Sequence, residues 1–198
     1  MNFINNFLYD KDGSKRQAVI KCFPFSLKED AIIIASLIKF NDYSVHNKIQ
    51  VSVDNENFII PYRVYFNKIS TWKIQSLSDQ QKIMLACLYS RHHDGYIREE
   101  MLRKLSGSNK NFTIPYVVQL LSEYVIELFP IIDAQINENN IEEYHKYYKA
   151  NQIYFKKVEK RIMSYWNVYY DYNKTYKKNN YIGFQILNRI KFYGTNKS

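Results

Sequence analysis

The stretch from Ser78 to Leu105, SDQQKIMLACLYSRHHDGYIREEMLRKL, does most to narrow what this chain can fold into. Ser78-Asp79-Gln80-Gln81 reads as a capping box. The serine hydroxyl accepts an N–H of the first turn, and the glutamine reaches back to the serine N–H. Ile83, Met84, Cys87 and Leu88 then share a helical face. Arg91-His92-His93-Asp94-Gly95 interrupts that face. Glycine terminates helices well, and aspartate caps the next one. Ile97, Met101, Leu102 and Leu105 carry a second helix to about Gly107. Pro115 suits the first turn of a third, where its missing N–H would be unpaired anyway. Pro115 to Phe129 is apolar nearly all round, so it is expected at the centre, with Pro130 closing it.

The flanks are more mixed. Arg16 to Phe25 (RQAVIKCFPF) suits a strand ended by Pro24. Ser26-Leu27-Lys28-Glu29 fits a capping box before a helix over Leu27 to Phe40. Lys48 to Val53 alternates polar and apolar, and Asp54 to Asn57 is a turn. Phe58 to Phe66 returns as the second strand of a hairpin, with Pro61 marking an edge or a bulge. After a break at Asn137-Glu138-Asn139-Asn140, Ile141 to about Tyr172 reads as one long helix with aromatics at threes and fours. Asn173 to Asn180 is a basic linker, and Tyr181 to Tyr193 is a last helix or strand.

The expected fold is therefore mainly α (α+β): a helical core with a small N-terminal antiparallel β-hairpin and a long C-terminal aromatic and basic helix. Two regions are expected, a globular domain over 1–136 and a helical segment over 137–198 packed on it or extending as an arm. With 46% hydrophobic residues the chain can bury a core. Five glycines and four prolines argue against a turn-rich sandwich or barrel, and exclude a Gly-rich phosphate loop. MNFINNFLYDKDG lacks the basic and long apolar regions of a signal peptide, and the longest apolar run, Ala31 to Ile38, is too short to span a bilayer. The expectation is a soluble cytoplasmic protein with no membrane partner.

Charge is uneven. The chain is +9 overall, but residues 141–198 hold 12 basic and 4 acidic side chains, while 78–140 hold 6 and 8. Lys156, Lys157, Lys160, Arg161, Lys174, Lys177 and Lys178 lie among aromatics, and that pattern fits phosphates met by charge and unpaired bases met by stacking. Aromatics at helical spacing also suit a core or a partner interface, so self-association or a protein partner through Tyr148, Phe155, Tyr165 and Trp166 is the other expectation.

No pattern points to covalent catalysis. Cys22 and Cys87 sit in apolar runs as inert reduced thiols, Ser90 lacks a nucleophile elbow, and the pairs Glu99-Glu100 and Glu142-Glu143 face apart on a helix. No Cys/His spacing resembles a zinc site, and no cofactor or metal is expected. The outward residues of the central turn, His92, His93, Asp94, Tyr96 and Arg98, form the candidate binding surface.

Three resemblances attach to this region. Asp94, Ile97, Arg98, Met101 and Leu105 occupy the places of the second helix of a HEAT repeat, over about one repeat, with Met101 where that family has a small residue. This resemblance implies a helical scaffold that binds protein or nucleic acid without catalysis. IPYRVYF and SRHHDGYIREEMLRKL also resemble segments of bacterial proteins, with no activity implied. His93-Asp94 is similar to the central doublet of HD-type metal phosphohydrolases. That likeness implies an earlier His and a later Asp on separate helices, for which His46 and Asp133 are the loosely placed residues.

Overall fold

A computed structural model describes residues 12–40, 45–123, 125–169 and 180–194. The apolar stretch at 2–9 and the linker cations Lys174, Lys177 and Lys178 lie outside them. The fold is mainly helical, with one two-stranded antiparallel sheet near the N-terminal end. The chain divides into two compact units, residues 1–108 and 109–198.

The first unit opens with α1 (Gly13–Ile20), a 3-10 turn at Phe25–Leu27 and α2 (Lys28–Leu37). The strand expected over Arg16 to Phe25 is thus a helix and a turn. Arg16, Gln17 and Ala18 are good helix formers, and the buried Val19, Cys22 and Phe23 recur at threes and fours, the spacing of one helical face. Ser26 caps nothing. Its amide and hydroxyl donate to the two carboxylate oxygens of Glu56, at 3.0 and 2.6 Å, and α2 begins two residues later. The carboxylates of Glu29 and Asp30 then stand in the first turn, where the helix dipole favours them. α2 also stops at Leu37, short of the expected Phe40.

The hairpin is β1 (Val45–Val53) and β2 (Glu56–Val64). Its turn is tighter than expected. Asp54 and Asn55 take φ of 52° and 65°, the left-handed pair that a two-residue type I′ turn needs and that Asp and Asn tolerate. Val53 therefore pairs with Glu56, Val51 with Phe58 and Ile49 with Ile60. Val51, Val53, Phe58 and Ile60 are buried on one face. Alternate residues of β2 turn their backbone away from β1: the Ile59 N–H donates to Lys21 O at 3.0 Å. Pro61 shares that parity, so its missing N–H costs the ladder no bond.

After the short α3 (Thr71–Gln75) come α4 (Asp79–Tyr89) and α5 (Gly95–Leu105), which pack on each other. The capping box at Ser78 forms in both directions: Gln81 N–H to Ser78 Oγ at 3.2 Å, and Ser78 N–H to Gln81 Oε1 at 3.1 Å. Met84, Leu88, Leu102 and Leu105 are fully buried, each contributing about 1.5–3 kcal/mol of apolar burial. α4 also packs on α2, where Gln81 Nε2 donates to Asp30.

The second unit holds α6 (Ile114–Leu120), α7 (Leu128–Gln135), α8 (Ile141–Ala150), α9 (Gln152–Tyr169) and α10 (Ile182–Lys191). Two expected helices are each broken in two. The helix expected over Pro115 to Phe129 stops at Leu120, and a buried turn follows. Tyr154 and Tyr165 reach the end of α6 and this turn from α9: their hydroxyls donate to Gln119 Oε1 and to the Ser122 carbonyl, respectively. Pro130 does not close a helix but sits in the first turn of α7, where N–H groups lack helical partners anyway. The helix expected over Ile141 to Tyr172 breaks at Asn151. The Asn151 backbone leaves the helical region (φ −128°, ψ 38°), and its Nδ2 donates to Tyr147 O at 2.9 Å. A side-chain amide has taken a carbonyl the helix would otherwise use.

The aromatic stripe is the core of this unit. Tyr144, Tyr147, Phe155 and Tyr165 are buried, with edge-to-face contacts of Phe155 to Tyr147 and Tyr148 at 5.6 and 5.1 Å. α10 closes over it through Phe184, Ile186, Leu187 and Ile190. A Cβ on Gly183 would lie 2.9 Å from Tyr181, 3.2 Å from Ile162 and 3.3 Å from Phe129, so only glycine lets α10 approach this closely. Arg189 ties α10 to α7, donating to the Asp133 and Ile136 carbonyls at the end of α7 and pairing with the Asp133 carboxylate at 2.8 Å.

Candidate functional site

The central turn Arg91 to Asp94 is built as a clamp on the exit of β2. The Val64 N–H donates to Arg91 O at 2.9 Å and the His93 N–H to Val64 O at 3.0 Å, a short parallel bridge. Three side chains extend it. Arg91, fully buried, donates through Nη2 to Tyr62 O at 2.9 Å and through Nε to Pro61 O at 3.3 Å. Tyr89 donates its hydroxyl to Asn67 O at 2.6 Å, and the His92 Nε2 meets Phe66 O at 2.8 Å. Backbone carbonyls that would be costly to bury unpaired are thereby satisfied.

His92 is nearly fully buried, and both ring nitrogens are committed. Nδ1 accepts the Asp94 N–H at 3.1 Å, and the Phe66 carbonyl can only accept. The ring is therefore the neutral Nε2–H tautomer. Burial holds its pKa below the ordinary histidine value and outweighs the bond to the Phe66 carbonyl, which acts the other way. Arg98 is buried too, with Nη1 donating to His92 O at 2.8 Å and His93 O at 2.9 Å. Asp94 caps α5 by accepting the Tyr96 N–H at 2.9 Å.

Of the five residues expected to face outward, only some do. His92 and Arg98 are interior. His93 is exposed and stacks on Tyr65 with ring centroids 5.0 Å apart. Tyr96 is 86% exposed. Arg91, absent from the expected set, is central to the clamp. A charged residue in a polar turn carries no sequence mark of burial.

His46 lies on β1 opposite Arg63, not on a helix, and Asp133 lies on α7 beside Arg189. Among the described residues no three His, Cys, Asp or Glu side chains gather where a metal ion could be held. The buried Cys22 thiol is pushed up to about 12 by desolvation, and that of Cys87 is raised well above its usual value for the same reason. The Ser90 hydroxyl donates to Cys87 O at 2.6 Å.

The second unit presents a different kind of surface. α9 buries Tyr154, Phe155, Val158, Ile162 and Tyr165 on one side. Lys156, Lys157, Lys160 and Arg161 are all exposed on the other. They form two i,i+4 rows of like charge, 156 with 160 and 157 with 161, each of which costs an isolated helix about 0.2–0.5 kcal/mol. Glu159, on the same helix, pairs with Lys191 of α10 at 3.1 Å. No helix of the described residues is long and apolar enough to cross a membrane. Comparison with protein-family models, curated proteins and solved structures finds no match to this chain.

Proposed function

We propose that this is a binding protein without catalytic activity, and that its binding surface is the basic outer face of α9, which takes a polyanion of the nucleic-acid type. The single observation that carries the reading is the doubled row of exposed like charges at Lys156, Lys157, Lys160 and Arg161. Such a row is unfavourable in the free helix and favourable against a phosphate backbone, where counterion release drives association.

The chemistry limits what is recognised. The aromatics interleaved with these cations are turned inward, so stacking on unpaired bases is not part of the reading. Contact is with phosphates, and sequence preference is absent or small.

The test is fluorescence anisotropy of the full chain with labelled single- and double-stranded oligonucleotides over a salt series. Binding is expected to weaken steeply with salt. The combined variant Lys156→Ala, Lys157→Ala, Lys160→Ala, Arg161→Ala should bind far less and show a shallower dependence, by about 0.7–0.9 in log–log slope for each phosphate no longer neutralised. Equal retention by the two proteins at all salt concentrations would sink the reading.

A second reading rests on one observation: Tyr96, 86% exposed at the start of α5, stands in the same turn as the exposed, Tyr65-stacked His93. An exposed tyrosine on a rigid clamp suits a protein partner. Affinity capture with the native chain and with Tyr96→Ala tests it. A partner retained equally by both removes this surface from consideration.

A further inference from the structure

A groove of about 460 Å³ opens in the first unit between the end of α1, the Phe23–Lys28 segment, α2 and one face of the hairpin. Its apolar wall is made by Ile20, Phe23, Ile32 and Ile59. Phe25, 78% exposed, stands at its rim as an apolar surface left in water. The volume falls within the range of small-ligand sites, and an apolar lining with few polar groups is the usual make-up of such sites.

The polar groups are of one sign. Lys21 and Lys28 contribute to the lining, together with the uncharged Gln17, Gln50 and Asn57, and no carboxylate does. The Lys28 ammonium lies 5.6 Å from the Phe25 ring centroid. Among the described residues neither lysine has a carboxylate within ion-pair distance. Glu56, beside the hairpin turn, is held by the Ser26 amide and hydroxyl. That bond and the Ile59 N–H to Lys21 O bond tie the helical side of the groove to the hairpin, so its walls are preset.

We propose that this groove binds a free medium-chain aliphatic carboxylate, its chain against Ile20, Phe23, Ile32 and Ile59 and its carboxylate met by the Lys21 and Lys28 ammonium groups. Charge complementarity selects the head. The apolar wall, without a buried donor or acceptor for a polar body, selects an alkyl tail. This site is in the first unit and does not depend on the α9 reading.

The test is isothermal titration calorimetry of the full chain with octanoate, decanoate and dodecanoate below their micellar concentrations. One site per chain is expected, with affinity rising about fourfold per added methylene, the equivalent of about 0.8 kcal/mol. Decanol and decyltrimethylammonium should bind about tenfold more weakly than decanoate. The exposed pair Lys21→Ala, Lys28→Ala should weaken decanoate by about that factor and leave decanol unchanged. Ile59→Glu, which sets a carboxylate in the groove, should weaken both decanoate and decanol. Four results overturn the proposal: no saturable binding; binding indifferent to the two lysines; binding lost instead on neutralising Lys156, Lys157 and Lys160; or attachment to anionic phospholipid vesicles without binding of the free acid.

Discussion

His92 accepts the backbone N–H of Asp94 through Nδ1, so the imidazole holds the first residue of the α5 cap from below while the Asp94 carboxylate holds the Tyr96 N–H from the other side. A protonated His92 would set an Nδ1–H against that same N–H. The turn between α4 and α5 is therefore built around a neutral ring.

A pH dependence follows. The folded His92 pKa lies below the unfolded value, about 6.5, because burial disfavours the cation. Between those values the unfolded chain binds more protons, so stability rises with pH across that window. The contribution is fully present above about pH 6.5 and is lost as pH falls toward the depressed folded value. Urea midpoints of the native chain should decline over this interval, and those of His92→Gln should decline less. Parallel profiles for the two proteins would contradict the assignment.

The two caps that bracket the pair are expected to act separately. Ser78→Ala and Asp94→Ala each remove one side-chain acceptor from a helix N-terminus, at a cost of about 1 kcal/mol. The two caps bond to different amides at opposite ends of the α4–α5 pair, so the double variant should lose about the sum. Thermal or urea unfolding measures all three, and an Asp94→Ala protein as stable as the native chain would show that this cap contributes nothing.

Gly183 governs how closely α10 approaches α7 and α9. A methyl group there meets Tyr181, Ile162 and Phe129 inside ordinary contact distance. Gly183→Ala should therefore destabilise by about 1–3 kcal/mol, although alanine is the better helix former by about 1 kcal/mol. The diagnostic is a loss of stability where propensity alone predicts a gain. A more stable Gly183→Ala protein would show that the interface has room.

Short-range bonding made much of the fold readable in advance. The Ser78 capping box, the Asp94 cap, the period-two alternation of Lys48 to Val53 and the spacing of Ile97, Leu102 and Leu105 each bind residues within a few positions of one another. Such patterns survive intact because neighbours in sequence are neighbours in space. The mainly helical class and the single hairpin followed from them. The same local rules misread Arg16 to Phe25, whose apolar residues fit either period, and Ser26, whose hydroxyl found Glu56 thirty residues away.

What the chain alone determined is its helical core, its hairpin, its two cap positions and the concentration of positive charge in the last third. Only the tertiary structure decided which members of these sets face water. Burial of Arg91, His92 and Arg98 depends on carbonyls presented by β2, by Phe66 just beyond it and by the turn itself, and the breaks at Leu120 and Asn151 let α9 bring Tyr154 and Tyr165 onto the end of α6 and the turn after it. These are bonds between distant segments, and their donors look in sequence like any polar turn or solvated face. The clamp at His92 and Asp94 is thus legible as a turn from the residues, and as a structural joint only from the fold.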